Sequence, residues 1–163
     1  MKYLEGQEAE EALDWINEAV KVAQSATCQR AKCGAVIVVD GVIIGRGFNS
    51  PPGNDEAERR CNIKKDSYNQ KVTDKTCCLH AEQRAVMDAL KTNSEKIKGA
   101  KLYFVRFYAN GERRLLGGKN KLYCTVCTKM MFDVGITEFV LAHEDGVCSY
   151  LANEYLQESF SYN

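Results

Sequence analysis

Four residues in two short runs, His80-Ala81-Glu82 and Cys124-Thr125-Val126-Cys127, constrain this chain more than anything else in it. One imidazole and two thiolates can hold a zinc ion and leave its fourth position to water, and a carboxylate two residues from the histidine can move that water's protons. Each half alone is a weak signal. An HxE is short, and a CxxC among eight cysteines is equally a redox pair or half of a structural zinc site. Together, in this order, they describe a hydrolytic metal site. The structural alternative is a closed zinc site with a fourth protein ligand, and an acid so near a ligand histidine argues against it.

Local pattern places both runs at helix starts. From His80, the run HAEQRAVMDALK carries Ala81, Ala85, Val86, Ala89 and Leu90 at the spacing of one buried helix face. From Cys124, CTVCTKMMFDVG repeats the pattern, with Val126, Met130 and Val134 on one side and Gly135 just past the end. Three-residue spacing turns both sulfurs to one side of that helix. Two helix N-termini then face the metal, and their partial positive charge favours thiolate and hydroxide over the neutral forms.

The other elements alternate. An amphipathic helix from about Gln7 to Ala26 runs through Leu13, Ile16, Val20 and Ala23. Two β-branched runs, Cys33 to Val39 and Val42 to Phe48, flank Asp40-Gly41, a strong hairpin signal. Leu102 to Tyr108 and Glu138 to Ala142 read as strands, Asn110-Gly111 as another hairpin turn, and Leu151 to Glu158 as a short final helix. The basic residues Arg113, Arg114, Lys119 and Lys121 make the segment after that turn a solvated hairpin, or else a contact to phosphate or a neighbouring subunit. The whole predicts an α/β fold, a mixed sheet of about five strands covered by helices. At 163 residues, with no repeat and no low-complexity linker, a single domain over 1–163 is expected.

Charge balances at 22 basic against 22 acidic residues, so no broad attraction to nucleic acid or a membrane surface is evident. The acidic, broken start MKYLEGQEAEEALDW is unlike a signal peptide, and no apolar run reaches membrane length, which makes the cytoplasm the expected compartment. In a reducing compartment the cysteines are metal ligands or core thiols, with Cys33 and Cys148 reading as core. His143, the only other histidine, reads as a surface loop residue. Asn49 follows a strand and precedes Pro51-Pro52, where a short amide can face a cleft or satisfy its own turn. Arg30 and Lys32, just before the first of the hairpin strands, are candidates for a substrate phosphate, with a solvated basic turn as the alternative.

These motifs resemble the zinc-dependent cytidine and deoxycytidylate (dCMP) deaminase superfamily, with its histidine-x-glutamate and proline-cysteine-x-x-cysteine signature. The likeness covers roughly residues 10 to 145. The segment TCQRAKCGAVIVVDGVIIGRGFNSPPG, from Thr27 to Gly53, is similar to the dCMP deaminase branch. Tyr123 departs from the pattern by standing where the family usually has proline, which supplies no ligand atom. The resemblance implies a three-layer α/β/α fold, a catalytic zinc on His80, Cys124 and Cys127, and Glu82 as base and acid in turn. It implies a sugar contact from Asn49 and a base contact from the Ala81 amide. It further implies a second, structural zinc on Cys28, Cys61 and Cys78, with Cys77 the available fourth donor, and a homo-oligomer. Asp145 stands about where tRNA adenosine deaminases carry an aspartate, whereas dCMP deaminases more often carry an aromatic lid, a part that Tyr150 can play unless it packs the terminal helix. The expected function is hydrolytic deamination of a cytosine nucleotide such as dCMP. Its rivals are a deaminase of bases within RNA or DNA and a non-catalytic zinc-binding interaction module.

Overall fold

The computed structural model describes residues 1–115 and 124–161. In chain order the elements are β1 (Lys2–Tyr3), α1 (Gly6–Ala23), β2 (Ala31–Val39), β3 (Val42–Phe48), α2 (Ala81–Asn93), β4 (Lys101–Tyr108), β5 (Arg113–Arg114), α3 (Thr125–Asp133), β6 (Glu138–His143), β7 (Gly146–Leu151) and α4 (Ala152–Ser159). The strands form one mixed sheet in the order β1-β7-β6-β4-β2-β3, with β5 paired to β4. Only β4 and β6 run parallel, which is the geometry that a helical crossover such as α3 serves.

Local chemistry accounts for the joints. Asp40 and Gly41 take φ of 48° and 71°, the paired left-handed conformation of a tight hairpin, so β2 and β3 pair antiparallel. Gly135 (φ 86°) follows the last residues of α3, where only a residue without Cβ enters the left-handed region at no cost. After Asn110-Gly111 the chain turns and β5 pairs with β4, as the dipeptide predicts.

Helices cover both faces. On one, Ala12, Ile16, Ala19 and Ala23 of α1 pack against Val36, Val38, Tyr103, Val105 and Val140. On the other, Ala81, Ala85, Val86 and Ala89 of α2, Met131 of α3 and Tyr155 of α4 close over Ile37, Leu102, Phe104, Phe139 and Leu141. Burying one such aliphatic side chain stabilises the fold by about 2 kcal/mol. Along α2 the contact is backbone to backbone. A Cβ on Gly47 would lie 2.0 Å from the Ala81 carbonyl oxygen, and one on Gly45 would lie 2.4 Å from that of Ala85. These glycines let the start of α2 rest directly on β3.

The three-layer α/β/α expectation holds, with differences of detail. Five strands are six residues or longer, and the two-residue β1 and β5 bring the sheet to seven. One of the five, β7, lay unmarked between the expected last strand and final helix. The buried face of α2 is the expected one except at Leu90, whereas that of α3 and part of that of α1 are turned by about one position. α1 buries Ala12 and Ala19 and leaves Leu13 43% exposed, α2 leaves Leu90 42% exposed, and α3 buries Cys127, Thr128 and Met131 while Val126 is 52% exposed. Small alanines sit innermost because the helices approach the sheet so closely.

Candidate active site

His80 is the residue immediately before α2, and Cys124 the one immediately before α3. Its backbone N–H donates to Gln83 Oε1 at 2.9 Å, which fixes the first turn of α2. A bridge between Ser50 and Leu79, and a hydrogen bond of 2.8 Å from Arg84 Nη2 to the Pro51 carbonyl, tie that turn to the chain leaving β3. The two helix starts converge, leaving His80 Nδ1 3.3 Å from Cys124 Sγ and 3.2 Å from Cys127 Sγ. The three donor atoms lie within 4.8 Å of one another. Tetrahedral zinc with ordinary bond lengths spaces a nitrogen and a sulfur about 3.5 Å apart, so these residues fit the ion with a small outward adjustment.

Charge at this cluster already favours a cation. The Cys127 thiol and the His80 ring both hydrogen-bond the Cys124 sulfur and bring its pKa down to about 4 against burial, making it a thiolate. The bond to Cys124 carries His80 up to about 9 and pushes Cys127 well above the ordinary thiol range, so a metal must displace a proton from each. Glu82, in the first turn of α2, is 7% exposed. Burial raises its carboxyl above the usual carboxylate range, with the His80 charge acting the other way.

Both sit on the wall of a cavity of about 500 Å³ together with Ala81, Asn49 and Arg30. Asn49 extends the β2–β3 ladder with its side chain. Its Oδ1 accepts from the Cys33 N–H at 2.8 Å and its Nδ2 donates to the Ala31 carbonyl at 2.9 Å, leaving one amide proton for a ligand. Arg30 also reaches the wall, but its guanidinium donates to the carbonyls of Cys61 (3.2 and 3.0 Å) and Ile63 (3.2 Å), so it ties down the loop after β3.

Two expected substrate residues lie elsewhere. Lys32 is exposed and points to the sheet face opposite its β2 neighbours Ala31 and Cys33, because strand side chains alternate. Asp145 is exposed in the turn between β6 and β7, where its charge acts on Tyr3 and His143, and it does not line the cavity. The β7 strand explains the neighbouring corrections. His143 is buried beneath Tyr3, its Nε2 3.0 Å from the Tyr150 hydroxyl, and Tyr150 packs edge-on against Tyr155 of α4 at 5.3 Å, in the core and not over the cavity. Cys33 and Cys148 are core thiols, Cys33 pushed up to about 12 by burial. Tyr123, Lys119 and Lys121 lie outside the described residues.

A second group lines the same cavity. The sulfurs of Cys28, Cys61 and Cys78 lie within 4.8 Å of one another, and Cys61 and Cys78 are 3.8 Å apart, the separation of two thiolates on tetrahedral zinc. Cys77 lies outside this trio and its sulfur accepts from the Arg60 N–H at 2.9 Å. The cavity also holds residues from β4 that motif reading missed, Phe104 and Arg106. Their signal is the alternation in LYFVRFY, where an arginine follows Leu102 and Phe104 on the same face.

The sequence model for the cytidine and deoxycytidylate deaminase zinc-binding region matches residues 9–143. The chain belongs to this family. It is therefore a zinc-dependent hydrolase of the deaminase class. No curated protein matches its sequence at a significant level. Among solved structures, the dCMP deaminase of cyanophage S-TIM5 in its apo form is 22% identical, with 92% of each chain covered and a TM-score of 0.56, a likeness of fold. The complex of that phage's dCMP deaminase with dCMP and dUMP is 25% identical, covering 83% of this deaminase and 82% of that chain at a TM-score of 0.54. No helix among the described residues is long and apolar enough to cross a membrane.

Proposed function

We propose that this deaminase removes the amino group of cytosine in a free nucleotide, converting dCMP to dUMP with release of ammonia. One observation carries the reading: two sulfurs and one imidazole nitrogen within 4.8 Å of one another, beside a buried Glu82, on the wall of a cavity of about 500 Å³. The phage enzyme's complex with dCMP and dUMP supports the choice of substrate.

His80, Cys124 and Cys127 would hold the catalytic zinc, which would supply an activated water at neutral pH. Glu82 would take a proton from the attacking water and pass it to N3 of the ring as C4 is attacked, then take the proton of the new C4 hydroxyl and hand it to the amino nitrogen, which leaves as ammonia. Burial suits it to this alternation, because a carboxyl raised toward neutrality both accepts and donates. The Ala81 amide, first in α2, faces the base, and the free Asn49 amide proton meets the sugar hydroxyl. Cys28, Cys61 and Cys78 hold a structural zinc that orders the long loop after β3.

A panel of cytidine, deoxycytidine, their 5′-monophosphates, adenosine and single-stranded oligonucleotides, scored for ammonia release, tests the proposal. Preference for dCMP is expected. Turnover confined to oligonucleotides or to adenosine would replace it with a base-in-polymer or purine reaction.

A further inference from the structure

Deamination of a free nucleotide needs a place for its phosphate, and the two residues first suited to that role are differently placed. Arg30 lines the cavity but commits its Nε and Nη2 to backbone carbonyls, and Lys32 faces away from the cavity. The cavity wall carries another arginine, Arg106 of β4. Its register partner on β2 is Cys33, whose N–H is held by Asn49 on the other edge of that strand, so Arg106 and the asparagine flank β2 from opposite sides. On its other side it is directly opposite Arg114 of β5, which places both side chains on the same face of the sheet.

Two like charges directly opposite destabilise a β-pair. Nothing among the described residues neutralises them, since neither arginine forms a salt bridge and residues 116–123, which follow β5, contain no Asp or Glu. Each also has a buried Nε without a hydrogen-bond partner. Arg114 is held in place by the Tyr108 ring, with its guanidinium carbon 5.6 Å from the ring centroid. A guanidinium fork is matched to the oxygens of a phosphate, and a dianion between two forks removes their repulsion.

We infer that Arg106, seconded by Arg114, receives the 5′-phosphate of the substrate and thereby makes this deaminase select nucleotides over nucleosides. The inference rests on the proposed dCMP reading. Glu82, Asn49 and Arg106 all line the one cavity.

The test compares kcat/KM for dCMP and for deoxycytidine in wild type, Arg106→Gln, Arg106→Lys and Arg114→Gln, with zinc content and melting temperature recorded for each. The ratio of dCMP to deoxycytidine should fall at least about tenfold in Arg106→Gln, the loss expected when a charged hydrogen-bonding fork is removed. Arg106→Lys, which keeps the charge and loses the fork, should fall between, and Arg114→Gln should show the smaller change. Inorganic phosphate should compete with dCMP in the wild type and lose potency in Arg106→Gln. An unchanged ratio and unchanged phosphate inhibition in a folded Arg106→Gln or Arg106→Lys protein that still turns over dCMP would overturn the inference alone. A wild type inactive on dCMP would overturn the proposed function and this assignment with it.

Discussion

Two groups of side chains able to hold a metal gather at one cavity, and they differ in what holds them and in what stands beside them. His80, Cys124 and Cys127 sit at the starts of two helices that are packed onto the sheet, with a buried acid in the next turn. Cys28, Cys61 and Cys78 join the chain after α1 to the middle and the far end of a long polar loop, with no acid buried among them. Similar donors thus serve opposite ends. The helix-borne set has a buried carboxyl beside it and a scaffold that fixes it, whereas the loop-borne set has only chain to gather. What separates a catalytic centre from a clip is the neighbour of the metal and the rigidity of its mounting.

That contrast is open to direct attack. Glu82→Gln should lower turnover by roughly 10³-fold or more while the protein keeps its zinc, as metal analysis beside steady-state rates will show; an active variant would remove the acid from its role. Cys61→Ser should release one zinc per chain and cost about 3 kcal/mol, with limited proteolysis newly cutting between residues 52 and 79. The helix-borne metal should stay, so a loss of both ions on Cys61→Ser would show that the two groups are one unit. Gly47→Ala drives a Cβ into the Ala81 carbonyl and should cost about 2 kcal/mol in denaturant unfolding, with a loss of activity larger than that of Cys61→Ser, because it displaces the start of α2. Arg30→Gln removes the tie to Cys61 and Ile63 and should cost about 1 kcal/mol, seen as faster amide exchange in the loop with the catalytic zinc undisturbed.

Much of this was legible in the chain itself, for reasons that differ by residue. The Asp40-Gly41 turn and the helices after His80 and Cys124 are local chemistry, and local chemistry is written in neighbouring residues. The gathering of His80 with Cys124 and Cys127 was readable because ligand spacing reports on a shared ion. Part of the α1 face was read one position off, since periodicity marks apolar residues such as Leu13 and Val20 while close packing on Gly34 selects small ones such as Ala19. The burial of His143 was hidden because it depends on Tyr3, far away in sequence, and on β7, whose GVCSYL lacks a clean alternation. Arg106 was missed for a related reason. A single arginine in a strand declares its face only once the register to Cys33 and Arg114 is known.

The account rests on an open metal site at the two helix starts. Zinc-edge X-ray absorption on the Cys61→Ser protein, which should retain the helix-borne ion alone, tests it most directly. Two sulfurs at about 2.3 Å and two lighter donors at about 2.0 Å are predicted, one of the lighter pair being exchangeable solvent. Four protein donors, or three or more sulfurs, would contradict it.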